Sequence, residues 1–155
     1  MSSRALIELG DVVVDDRPCR AWHASRRRLR WLGVRVHVVV VATGEPLNPA
    51  AAPLFAAACL AHARRARPGW LARVHASLAV VAAFPVTAVD ERLRQVLARP
   101  TQEAVGTWLI PVAITPDGAH HTPPRLAQNG WLVEPYVRGV VDAWAREHAR
   151  PTASP

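Results

Sequence analysis

The feature that most restricts this chain is a run of six valines within residues 34–41, interrupted by Arg35 and His37. β-Branched side chains lose rotamer freedom in a helix and pack well on a pleated surface, so the run predicts a strand over 34–42. Its character changes along its length. Polar residues alternate with valine at first, and the later half is continuously apolar, as in an element entering a sheet covered on both faces. Such a sheet needs helices to cover it.

The rest of the chain supplies them. Thr43, Gly44, Glu45 and Pro46 end the strand, and Asn48-Pro49 then offers an N-cap side chain followed by proline at a first helical position. Pro53 would move the true start a turn later, and the alanine-rich run continues as helix to Arg65 before Pro68-Gly69 stops it. Residues 71–84 fit both periods. They are assigned as strand because they lie between a turn and a new helix start at Thr87. There Thr87 with Asp90 resembles a capping box, and Val89, Leu93, Val96 and Leu97 form one apolar face before Pro100.

Residues 107–115 read as a strand, with Pro111 arguing for an edge or irregular position. The stripe Val133, Tyr136, Val137, Val140, Val141 and Trp144 gives a closing helix, with Pro135 suited to its first turn. Near the start, 5–9 and 12–14 read as short strands, and Trp22, Leu29 and Leu32 favour a helix over 21–32. No internal repeat is found. The alternation predicts a single α/β domain over 1–150, with a frayed tail at 151–155. Its sheet would be mostly parallel or mixed, of three to five strands, covered by three helices.

Charge is distributed unevenly over this plan. The formal net charge is +7, with 19 arginines and no lysine. Residues 1–75 hold twelve arginines against five acids, and residues 76–155 hold seven of each. With alanine and proline abundant as well, the all-arginine usage reflects a GC-rich coding bias as readily as a need for forked phosphate contacts. The distribution is the stronger signal. If the main strands run parallel, Arg26, Arg27, Arg28, Arg30, Arg64, Arg65 and Arg67 collect at the edge where the strands begin. Cations at a helix carboxyl end also complement the macrodipole, which accounts for Arg64, Arg65 and Arg67 without a partner. It does not account for the cluster from Arg26 to Arg30.

The opposite edge, where open α/β sheets bind ligands, receives Glu45, Asp117, His120 and His121. An enzyme would use Glu45 as general base, His120 or His121 as acid and Asp117 to orient a histidine. As ordinary structure, the same residues form a loop acid, a turn and an exposed tip. Cys19 with His23 and Cys59 with His62 give the ligand count of a zinc site, at loose spacings; no metal and no cofactor are expected. His37 and His75 fall within predicted strands and read as structural residues.

Dinucleotide and Walker-type glycine loops are absent, as is a nucleophile elbow. The amino terminus lacks the form of a signal peptide and no stretch of eighteen uninterrupted apolar residues occurs, so a cytoplasmic protein without membrane attachment is expected. The leading expectation is a non-catalytic binding or accessory domain that docks an anionic partner, nucleic acid or an acidic protein, through its arginine-rich surface. Trp22 and Trp31, flanking that cluster, would stack on bases. The alternatives are the small enzyme above and a structural subunit of a homo-oligomer or larger complex. Six tryptophans favour the last if Trp70, Trp131 or Trp144 is exposed.

Overall fold

A computed structural model describes residues 6–27, 35–65, 76–98, 102–104, 106–123 and 133–149. The valine run is the strand β3 (Arg35–Thr43), and every residue from Val36 to Val41 is buried. Before it, β1 (Ile7–Val14) and β2 (Arg17–Arg27) form a hairpin that runs antiparallel into β3. Asp15 and Asp16 turn the hairpin with φ of 53° and 56°. Both lie in the left-handed region, where a two-residue turn matches the twist of its strands and where aspartate is among the better tolerated residues.

The helix expected over 21–32 is therefore a strand as far as Arg27. Packing overrode the helical spacing of Trp22 and its neighbours. Cys19 and Ala21 are buried on one face of the sheet, Trp22 and Ala24 on the other. With both faces covered, no alternation of apolar and polar residues survives to announce the strand.

After β3 come α1 (Ala52–Arg65), β4 (Ala76–Pro85), α2 (Glu91–Ala98), β5 (Gln102–Ala104), β6 (Thr107–Ile114), β7 (His120–His121) and α3 (Glu134–His148). Among the described residues the sheet has seven strands in the order β1-β2-β3-β4-β6-β5, with β7 also on β6. β3, β4 and β6 are mutually parallel neighbours, and the other pairings are antiparallel. This is the expected single-domain α/β fold with a mixed sheet. Its strand count exceeds the expected range, since β5 and β7 are only three and two residues long.

Local chemistry sets the boundaries. Asn48 Oδ1 accepts the Ala51 N–H at 2.8 Å, so this side chain caps a preliminary turn and α1 begins beyond it, with Pro53 at its second position. The cap of α2 is Asp90 and not Thr87: Asp90 Oδ1 accepts the Leu93 N–H at 2.8 Å. Pro111 sits where β6 is flanked on its outer margin by neither β5, which meets residues 107 and 108, nor β7, which meets 113 and 114. A missing N–H is tolerated there. Pro135 occupies the first turn of α3.

Two right-handed crossovers in the same direction place α1 and α2 on one face of the sheet. There Phe55, Cys59, Leu93 and Leu97 pack on Val39, Val80, Ala82 and Phe84, with Phe55 and Phe84 edge to face at 6.4 Å. Among the described residues α3 alone covers the other face, laying Tyr136, Val137, Val140 and Trp144 on Val38, Val40, Val81 and Ile110.

Among the described residues β1 ends the sheet and pairs with β2 only. A bulge between Glu8 and Gly10 leaves Leu9 out of the register. Ile7, Leu9 and Val13 on this margin are 59%, 52% and 70% exposed. No helix among the described residues is long and apolar enough to cross a membrane.

Candidate functional site

Parallel strands send their exits to one edge. The residues leaving β3, β4 and β6 are tied there by main-chain bonds, Leu47 N–H to Pro85 O at 3.0 Å and Val86 N–H to Ile114 O at 2.9 Å. Between these loops, β2 and the last turn of α3 lies a cleft of about 460 Å³. One wall is aromatic. The ring centroid of Trp22 stands 5.7 Å from Trp144 and 4.7 Å from His148, and Trp144 and His148 are stacked at 6.0 Å. Both indoles are buried, and Trp144 Nε1 has no hydrogen-bond partner. At the rim Arg20 faces two carboxylates, Asp11 at 3.2 Å and Glu8 at 3.4 Å.

Of the residues singled out in the sequence at this edge, Glu45 stands apart, while His121 acts electrostatically on the Asp117 carboxyl. Glu45 stands 3.6 Å from the Arg17 guanidinium, and its N–H donates to Thr43 Oγ1 at 3.2 Å. Asp117 closes the turn after β6, accepting from the Thr115 hydroxyl and, at 3.1 Å, from the Ala119 N–H. The Thr115 hydroxyl foremost holds the Asp117 carboxyl below its ordinary value.

His120 and His121 are consecutive on a strand, so they point to opposite faces of the sheet. His120, opposite Ile114, reaches the α3 side and meets Asp142 Oδ1 at 3.0 Å. His121, opposite Ala113, reaches the α2 side and lines a shallow groove with Arg94 and Leu97. Among the described residues no hydrogen bond or ion pair joins Glu45 to Asp117, His120 or His121. The carboxylate beside His120 is thus Asp142, twenty-two residues away on the exposed flank of the α3 stripe, where sequence spacing gives no sign of it.

The opposite edge is where the strands begin. β2 ends there as β3 starts, and Arg27 and Arg35 are direct register partners with Arg26 beside them. Two like charges directly opposite on neighbouring strands destabilise the pair. α1 must return the chain from the exit of β3 to the entry of parallel β4, so its last turn, with exposed Arg64 and Arg65, approaches the same edge. Strand alternation puts Arg27 and Arg35 on the face that carries α1. Arg35 donates to Ser25 Oγ at 3.3 Å. Among the described residues, none of these five guanidiniums has a carboxylate within ion-pair distance. Arg28, Arg30 and Arg67 lie outside the described residues, as do Trp31, Trp70, Trp131 and His75.

Behind this edge His23 and His37 stack with centroids 5.3 Å apart, His23 Nε2 lying 3.0 Å from His37 Nδ1. One ring donates and the other accepts, which requires an unprotonated acceptor. Burial, then the neighbouring His23 and Arg35, push His37 down to about 4; burial, then Arg35, lowers His23. The cysteines are both buried, and burial raises the Cys19 and Cys59 thiols, opposing the thiolate a zinc site needs. Among the described residues, no three or more His, Cys, Asp or Glu side chains form a group able to hold a metal ion.

Comparison with protein-family models, with curated proteins and with solved structures found no match to this chain.

Proposed function

We propose that this protein is a non-catalytic binding or accessory domain that docks an anionic partner, nucleic acid or an acidic protein, through the arginine edge. The observation that carries this reading is the Arg27–Arg35 register pair, flanked by Arg26, Arg64 and Arg65, with no carboxylate supplied by the described chain. Side chains held together against their own repulsion are favourable once an external anion enters between them. Guanidinium is suited to that contact because its planar fork presents paired donors to phosphate or carboxylate.

The test is fluorescence anisotropy with labelled single- and double-stranded oligonucleotides and with polyglutamate, over a salt series. Binding to duplex DNA is expected at low salt and should weaken linearly on a log–log plot, each phosphate contact contributing about 0.9 to the slope. Replacing Arg27 and Arg35 together by glutamate should abolish it. Failure of all these polyanions to bind at low salt overturns the reading. Tight binding of polyglutamate alone would select an acidic protein as the partner.

A further inference from the structure

We propose that the cleft at the exits of β3, β4 and β6 binds a small, uncharged, planar ring compound carrying a hydrogen-bond acceptor. This site lies at the opposite edge from the arginines and does not depend on their role. Its volume of about 460 Å³ suits a small organic molecule. It also lies where open α/β sheets bind ligands, outside the carboxyl ends of parallel strands.

Three properties of the walls define the ligand. First, they carry flat apolar surface beside the hydroxyls of Thr43, Thr87 and Thr115. Trp22 and Trp144 are joined by Pro46, Pro85 and Pro116 from the three loops, surfaces that match the face of a ring. Second, charge at the rim is matched within the protein. Arg20, the guanidinium that lines the cleft, is held by Glu8 and Asp11. A charged ligand would lose its hydration without gaining an unclaimed counter-charge.

Third, the Trp144 indole is donor only, and its N–H is buried without an acceptor while the residue is 2% exposed. Buried donors are nearly always satisfied, so a ligand acceptor that reaches Nε1 gains a hydrogen bond that the described residues do not supply. His148 is the last residue of α3, and its side chain is one-third exposed. Its imidazole rests on both indoles, and a ligand ring takes its place against them to bring the acceptor to Nε1.

The inference is tested on the full chain labelled with ¹⁵N, following the indole N–H signals and assigning that of Trp144 with Trp144→Phe. Nicotinamide and caffeine serve as neutral planar probes with carbonyl acceptors, benzoate as the charged planar control and cyclohexanecarboxamide as the non-planar one. The Trp144 signal should move with the first two at millimolar concentrations, and both controls should bind at least tenfold more weakly. Two substitutions fill the cleft from different loops. Gly44→Leu adds a side chain whose Cβ meets nothing within 4 Å, and Thr87→Trp starts from an exposed position. Each should weaken nicotinamide binding at least tenfold, and if one fails to fold the other decides. A Trp144 signal unmoved by both neutral probes, an equal response to either control, or binding unchanged in the folded variants overturns the proposal.

Discussion

The two ends of the parallel strands solve the problem of charge in opposite ways. At the carboxyl end cations are met locally: Arg17 by Asp15 and Glu45, Arg20 by Glu8 and Asp11. At the amino end Arg27 faces Arg35 across the ladder and no described carboxylate intervenes. Both ends are built on the same three strands, so the sheet itself imposes neither arrangement. An end whose charges are mutually neutralised gains local order. An end left charged keeps its guanidiniums exposed to solvent and ions.

The largest test of that contrast concerns the neutralised end. Trp144 is buried between β2 and the α3 face, so Trp144→Ala should destabilise the fold by about 3–5 kcal/mol. Denaturant titration would register this as a fall in the midpoint. A loss below about 1 kcal/mol would mean that the aromatic wall adds little to stability.

Next in size is a proton linkage just behind the charged end. His37 is 1% exposed and titrates near 4 in the fold against 6.5 in the unfolded chain. Between those values the unfolded chain takes up a proton that the folded chain refuses. Stability is therefore fully retained above pH 6.5, declines as pH falls and has lost about 3 kcal/mol once below 4. Urea titrations across this range should show the decline in the wild type and a flatter profile in His37→Gln. An equal slope in both would assign the acid sensitivity to other groups.

The smallest effect is the most discriminating because its two readouts move in opposite directions. Arg27→Glu converts a like-charge register pair into an opposite-charge one and should stabilise the fold by about 0.2–1 kcal/mol. The same substitution should weaken polyanion binding and reduce its salt slope. Destabilisation by Arg27→Glu would show that the guanidinium serves the fold, and the contrast between the two ends would then collapse.

Much of the sheet was legible because its central strands are chemically extreme. The valine run can hardly be anything but β3, and the assignment of 71–84 as strand agrees with β4 at Ala76–Pro85 from residue 76 onward, 71–75 lying outside the described residues. β2 was not legible. Its residues serve two cores at once, Cys19 and Ala21 on one face and Trp22 and Ala24 on the other, and a doubly covered strand has no period to read.

At the sites, residue order along a loop proved a poor guide to proximity. His120 and His121 are neighbours in the chain, yet strand alternation sends them to opposite faces. The aromatic wall joins Trp22 from β2 to Trp144 and His148 from α3, separated by more than half the chain. Trp144 could be placed on an apolar helical stripe, but the partner it would meet across the sheet depends on strand order. Of the arginines expected at the edge where the strands begin, Arg26 and Arg27 stand there on antiparallel β2, which the sequence was read to make a helix, and Arg28, Arg30 and Arg67 lie outside the described residues.

The out-of-register Leu9 has a consequence for the fate of crowded molecules. In a regular strand Ile7, Leu9 and Val13 would share one side and offer a neighbouring copy a continuous greasy seam beside unclaimed peptide groups. The bulge breaks that seam: Ile7 lies opposite His23 and Val13 opposite Pro18, on different sides of the sheet. One extra residue thereby interrupts the seam, a device by which open sheet margins resist edge-to-edge pairing.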